Sequence, residues 1–371
     1  MDNGKKHSKK VLFVATVDSH IELFHLPFLD WFKRHGYEIH VATNTDKPIR
    51  LCDKKIKLSI KRSPLSPANL QAIRQLKKHI RREKYDIIQA NTPMGGVVAR
   101  LAARSFRKRG TRVIYMAHGL HFYKGAPRKN WLIFYPVEKY LARYTDTLIL
   151  INREDFSLAK ERFVSCSDVQ YVPGVGIDGK KFQRHLTEAQ KHDFRAALGL
   201  RDDDFIMLCV GRLDKNKNQG FLISSTKKLL EDSDKYHLVL VGPDEFDGKY
   251  QKQVQTLGIE DHVHFLGFRK DIADLLEISD VAVSASLREG LPVNILEAMA
   301  AEKPVVAIRN RGVVDLLSGK DGIVDDMDSF VRNIQLIREV GYNSSVSRAT
   351  ENLEKYDTIS IVRRMGVIYG Q

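Results

Sequence analysis

Apolar residues recur along this chain in two alternating rhythms. Short unbroken runs, bounded by turn residues, alternate with stretches where apolar side chains return every three or four positions. The run at 10–16 (KVLFVAT) has the continuous hydrophobicity of a strand covered on both faces, as in parallel sheets, and 37–43, 86–89, 113–117 and 146–152 read as further strands. The run at 146–152 is predicted to be the last strand of the first half. Between the runs, Phe24, Phe28, Leu29 and Phe32 share one helical face that stops at Gly36. Leu70, Ile73, Leu76 and Ile80 form the buried stripe of a helix over 68–84. Residues 172–178 (VPGVGID) have no helical period and read as a linker. The rhythm restarts with runs at 205–210, 237–242, 263–265 and 280–286, and a helical stretch at 354–369 closes it. Strand and helix in alternation predict an α/β fold, and 371 residues give room for two domains.

The opening strand–helix–strand has no G-x-G-x-x-G, which argues against a nicotinamide or flavin dehydrogenase. Residues 280–307 (DVAVSASLREGLPVNILEAMAAEKPVVA) carry more chemistry. Gly290 breaks the strand, Pro292 suits the first helical position, and Val293, Leu296 and Ala300 recur at helical spacing until Pro304. Glu289 lies in the loop and Glu297 on the helix, with seven residues between them. A helix start attracts a phosphate. A carboxylate just ahead of it can accept from sugar hydroxyls, and one further along can accept from another diol. Two hydroxyl-rich groups flanking a diphosphate describe a nucleotide sugar. Taken alone, the two glutamates also fit a solvated pair around an ordinary helix start.

The longer string S-x-x-R-E-G-L-P-x-x-x-L-E-A-M-A resembles the E-x7-E signature of the retaining GT-B glycosyltransferases of family 4. The likeness implies that Glu289 faces the donor sugar, that Glu297 holds the ribose hydroxyls, and that Gly290 and Leu291 bring backbone N–H groups near the diphosphate. The loop after 205–210 matches the family's G-R-L…K-N, which implies that Gly211, Arg212 and Lys217 hold the diphosphate. Gly267, Phe268 and Arg269 match a loop that lies along the nucleotide base. His118, after the 113–117 run, matches a histidine that reaches the donor sugar; a helix-capping role is the plainer alternative. Glu302 departs from the family, which usually has glycine before Lys-Pro. The resemblance implies two Rossmann-like domains facing across a cleft: 1–175 for the acceptor and 176–350 for the nucleotide sugar. A terminal helix in 351–371 would cross back to the first. It also implies retention of configuration, with Glu289, His118, Arg212 and Lys217 as the catalytic set. The donor, expected to be a UDP-sugar, is a substrate, and neither a metal nor another cofactor is expected.

Open α/β sheets place ligands at the carboxyl ends of their strands. Asp18, His20 and His25 lie at or just beyond the end of the first run and are acceptor-site candidates with Lys124, although a lone histidine there is more often structural. Aromatics and cations interleave from Phe122 to Tyr135. Core packing accounts for some of these rings. A membrane contact accounts equally well for the pattern, with Trp131 and Phe134 entering the interface while Lys124, Arg128 and Lys129 meet lipid phosphates.

Charge sharpens the picture. Residues 1–180 hold 34 Lys+Arg against 16 Asp+Glu, a net of +18, whereas the remainder nets −4. One half is therefore built to meet something anionic. No nucleic-acid recognition motif accompanies the charge, so nucleic acid is not an expected partner. The N-terminal wording resembles bacterial enzymes of capsular, exopolysaccharide or lipid-linked oligosaccharide assembly, which implies a polyprenyl-diphosphate-linked acceptor and a peripheral place on the cytoplasmic face of an anionic membrane. A soluble acceptor, or a GT-B epimerase or phosphorylase, are the alternatives. No run approaches the roughly 18 apolar residues of a spanning helix. Three scattered cysteines show no metal spacing and suit a reducing compartment.

Overall fold

The structure is a computed structural model that describes residues 9–317, 322–341 and 353–370. It divides into two units: residues 1–176 with 358–371, and residues 177–357. The first is built on a parallel sheet of seven strands in the order β3-β2-β1-β4-β5-β6-β7. These are β1 (Lys10–Val14), β2 (Glu38–Thr43), β3 (Lys54–Lys57), β4 (Ile87–Ala90), β5 (Arg112–Ala117), β6 (Thr147–Leu150) and β7 (Asp168–Tyr171). Its helices are α1 (Asp18–Phe24), α2 (Leu26–Arg34), α3 (Ala68–Glu83), α4 (Pro93–Ala103), α5 (Arg128–Ala142) and α6 (Arg153–Arg162). Strands β1, β4 and β6 are almost wholly apolar because helices cover both faces.

Three expectations need correction here. The helix read through Phe24 to Phe32 is two helices. His25 ends α1, donating to the Ile21 carbonyl at 2.9 Å, and Pro27 in the first turn of α2 cannot continue the earlier hydrogen-bond ladder. The strand at 146–152 is not the last of its sheet. β7 follows it as an edge strand, half-buried along its length, and so lacks the apolar run that marks the inner strands. Trp131, Phe134 and Tyr135 pack against the core, while Leu132, Ile133, Val137 and Tyr140 of α5 are exposed. Interleaving in sequence says nothing of helical phase, and the phase turns Trp131, Phe134 and Tyr135 inward.

The second unit carries a six-stranded parallel sheet in the order β10-β9-β8-β11-β12-β13. Its strands are β8 (Phe205–Val210), β9 (Tyr236–Val241), β10 (Val263–Gly267), β11 (Val281–Ser284), β12 (Val305–Ile308) and β13 (Ile323–Val324). Flanking them are α7 (Glu188–Ala197), α8 (Gln219–Leu229), α9 (Lys249–Leu257), α10 (Ile272–Ile278), α11 (Val293–Ala300), α12 (Arg311–Leu317) and α13 (Met327–Val340). Both sheets reverse strand order about their first strand, which puts a crevice at the carboxyl end of β1–β4 and of β8–β11.

The last helix, α14 (Thr358–Gly370), belongs to the first unit. Tyr369 anchors it: its ring lies 4.4 Å from that of Phe32, and its hydroxyl donates to Gln89 Oε1 at 2.6 Å in a buried bond. Gly366 gives the close approach, since a Cβ there would sit 2.8 Å from Trp31 Nε1.

Candidate functional site

In the second unit the carboxyl ends of β8 and β11 bring two loops together. Gly211 follows strand β8, and the next turn carries Lys217 back across it: a Cβ on Gly211 would lie 3.1 Å from Lys217 Cε. Lys217 Nζ donates to Glu289 Oε1 at 2.8 Å, with both side chains largely buried. Glu297, one helical segment on, feels Lys217 as well. Burial nevertheless dominates and pushes its carboxyl up to about 7. One lysine thus serves two carboxylates beside the start of α11, where backbone N–H groups point outward. An anionic diphosphate placed here would compete with Glu289 for Lys217.

The other expected donor residues lie around this centre. Arg212 is half-exposed and its Nη1 donates to Glu245 Oε2 at 2.9 Å. Gly242 donates to the Gly267 carbonyl at 2.8 Å and packs so closely on Gly211 that a Cβ on Gly242 would fall 2.2 Å from the Gly211 carbonyl oxygen. That contact sets the Gly267–Arg269 loop beside the Gly211 loop. Phe268 is 72% exposed there, and Arg269 is held by Asp271 at 2.8 Å. Gly290 and Leu291 complete the turn into α11.

Residues that sequence reasoning missed hold the Glu289 loop in shape. The Asn216 backbone carbonyl accepts from the Leu287 N–H at 2.8 Å, and its side-chain Nδ2 donates to the Arg288 carbonyl at 3.0 Å. Asn310 Nδ2 donates to Ser286 at 2.9 Å, and Arg311 Nε to the Glu289 carbonyl at 3.3 Å. Gly312 must be small, because a Cβ would lie 2.8 Å from Pro292 Cδ. The one available signal was that Asn216 sits inside the matched Arg212–Lys217 loop. Nothing local ties it to residues some seventy positions later.

In the first unit a cavity of about 410 Å3 opens at the carboxyl ends of β1, β4 and β5, lined among others by Thr16, His20, Thr92, Tyr115, Leu120 and Phe134. Its rear wall rests on a buried arginine: Arg100 donates to Glu138 Oε2 at 2.8 Å and lies 4.1 Å from the Tyr115 ring centre. Of the four acceptor candidates, only His20 lines this cavity. Asp18 is occupied elsewhere, by the Thr43 and Thr45 hydroxyls and by Lys55 at 2.9 Å. Burial alone would raise its carboxyl, but those partners outweigh it and hold it below the ordinary value. Lys124 is exposed, its backbone N–H bonded to Glu154 Oε1 at 2.8 Å. His25 is fully enclosed.

His20, His25 and His118 nevertheless form one cluster, with ring centres 4.5 to 5.3 Å apart. Burial drives His20 down to about 4 and the other two well below the usual imidazole range, so all three are neutral. His20 bonds the Asn91 backbone, which leaves its Nε2 aimed inward. That atom, both nitrogens of His25 and Nε2 of His118 have no hydrogen-bond partner among the described residues. Such a cluster can bond sugar hydroxyls, and three neutral imidazoles with ligand atoms within 4.8 Å of one another are also a donor set for a transition-metal ion.

Residues 10–152 match the model of the glycosyl transferase 4-like family and residues 190–339 that of the glycosyl transferases group 1. EpsD of Bacillus subtilis (strain 168), named as a glycosyltransferase, is 45% identical over 332 residues, which cover 88% of this chain and 87% of that protein. The UDP-Gal:alpha-D-GlcNAc-diphosphoundecaprenol alpha-1,3-galactosyltransferase of Escherichia coli is 28% identical, over 81% of this chain and 78% of its own length. Among solved structures, that of Anabaena HepE in complex with UDP and glucose is similar in fold. It has a TM-score of 0.75 and 21% identity, and covers 98% of this chain and 99% of its own.

Proposed function

We propose, given that this chain belongs to family 4 of the glycosyltransferases and has their GT-B fold, that it moves a sugar from a UDP-sugar to a lipid-linked saccharide with retention of configuration. The observation that carries the donor half of this reading is Lys217 paired with Glu289 at 2.8 Å, beside Glu297 and the start of α11. Lys217 and Arg212 take the diphosphate, Glu297 accepts from the ribose hydroxyls, and Glu289, released from Lys217, accepts from the sugar. The acceptor oxygen attacks the anomeric carbon on the face that the diphosphate leaves. The anomeric C–O bond breaks as the new one forms, and the departing phosphate oxygen takes the acceptor's proton. Charge develops on that oxygen, where preorganised cations and N–H dipoles stabilise it most. His118 serves the sugar and His20 the acceptor.

Two features support a lipid-linked acceptor: the +18 of the first half, and the diphosphoundecaprenol acceptor in the name of the Escherichia coli relative. Among the described residues no helix is long and apolar enough to cross a membrane. The positive charge of the first half supports peripheral attachment to an anionic surface. A donor screen that follows UDP or GDP release with membrane extracts tests the activity. Glu289→Ala should abolish release while leaving UDP binding in place, and wild-type turnover in that variant would sink the assignment. Attachment is tested by co-sedimentation with phosphatidylglycerol vesicles at low salt; recovery equal to that with neutral vesicles would reject it.

A further inference from the structure

The cavity of the first unit continues onto an exposed apolar surface that no core contact uses. Ile133 and Val137 line the cavity and are also 54% and 43% exposed. On the same turns of α5, Leu132 is 77% and Tyr140 43% exposed. Across the mouth, Arg62 and Pro64 line the cavity from the loop before α3, and the adjoining Leu65 is 92% exposed. Apolar side chains displayed on both rims of one opening are uncommon on a surface with no partner.

Inside, the wall is mainly hydrocarbon, from Met94, Val97, Leu120, Phe122 and Phe134. Arg62 lines the opening, and Lys61, Arg128, Lys129 and Lys139 are exposed on the two segments that supply its rims. The single carboxylate in the lining, Glu138, is already neutralised by Arg100. An apolar interior with Arg62 at its edge and further exposed cations on both bounding segments fits a molecule with a hydrocarbon body and an anionic head. A phospholipid surface alone would not need the depth. About 410 Å3 has room for roughly three isoprene units at the packing density of protein interiors.

We infer that this cavity is the seat of the lipid itself: the first isoprene units of a polyprenyl-phosphate-type acceptor enter between α5 and the 61–67 loop, with the phosphates held by Arg62 and the cations of α5. This rests on the lipid-linked acceptor proposed above and adds where the chain goes.

Farnesyl diphosphate, with three isoprene units, is the probe, titrated calorimetrically into the full chain without donor. Farnesol and inorganic diphosphate are the controls for each half of the ligand. Farnesyl diphosphate should bind at least tenfold tighter than either. Ile133→Asp and Val137→Asp, both at the rim, should each cost at least tenfold, with UDP binding unchanged as the check that the protein is folded. Should either fail that check, Leu132→Ser with Leu65→Ser, wholly on the surface, should still weaken farnesyl diphosphate several-fold. Affinity for inorganic diphosphate equal to that for farnesyl diphosphate would overturn the inference, as would rim variants that bind farnesyl diphosphate like wild type. Because no donor is present, failure here leaves sugar transfer standing. Failure of UDP or GDP to bind would remove the proposed transfer while leaving this result to be read by itself.

Discussion

Glu297 offers a measurement in which function and stability move in opposite directions. Its carboxyl, ordinarily near 4.5, is pushed up to about 7 by burial, with Lys217 only partly opposing. Between those values the folded protein holds a proton that the unfolded chain has released. Stability therefore falls as pH rises from about 4.5 and is lowest above 7. A displacement of two to three pH units is worth about 3 kcal/mol, an upper figure because part of the side chain meets solvent. Glu297→Gln removes the charge and keeps the shape. It should stabilise the nucleotide-free protein by up to about 3 kcal/mol at pH 8 and by almost nothing near pH 4.5. Nucleotide binding should respond the other way. The ionised carboxylate is the better acceptor for two hydroxyls, so wild-type affinity for UDP should weaken about tenfold from pH 8 to pH 6. UDP takes up a proton near pH 6 itself, and the variant cancels that contribution: its affinity should be lower by about 1–3 kcal/mol at pH 8 and converge on wild type at low pH. Calorimetric titration across this range, with urea denaturation of the free proteins, reads both effects. Parallel affinity profiles for the two proteins, together with equal stability at pH 8, would refute the reasoning.

The other expectations are simpler. On the proposal that Arg212 and Lys217 neutralise the diphosphate in place of a divalent ion, transfer should survive EDTA and Lys217→Ala should lower kcat by about 10²–10³; activity restored by Mg²⁺ would contradict this, whereas restoration by Zn²⁺ alone would point to the His20, His25 and His118 cluster. Asn216→Ala removes the Nδ2 bond to Arg288 and should lower kcat about tenfold or more with little change in UDP affinity, so a pure loss of UDP affinity would show that the residue does not position Glu289. Glu302 has φ +57, the left-handed region that glycine tolerates; Glu302→Gly should gain about 0.5–1 kcal/mol after glycine's entropy cost, and an unchanged or lower melting temperature would disprove the strain.

Much of the fold was legible because its signals are local. Continuous apolar runs marked strands that helices cover on both faces, and β1, β4 and β6 appear where the pattern placed them. The Glu289–Glu297 unit was legible for the same reason: a turn, a proline and a helical period lie within one short stretch. Glu302 was visible as a departure, although only its φ explains why glycine belongs there. Strands β3, β7 and β13 were not read, because short or marginal strands need little apolar surface and their pairing partners lie elsewhere in the chain. The outward face of α5 was misread for a related reason. Which aromatic turns inward depends on the strands beneath it, and Trp131 and Phe134 went to the core while Leu132 and Ile133 stayed outside. Tertiary structure alone brought Asn216 to the Glu289 loop, set Arg100 under Tyr115 and gathered His20, His25 and His118. It also decided the charge state of Glu297. A sequence records a carboxyl group, but its proton affinity depends on how much water and which cations surround it, and those neighbours are assembled only by folding.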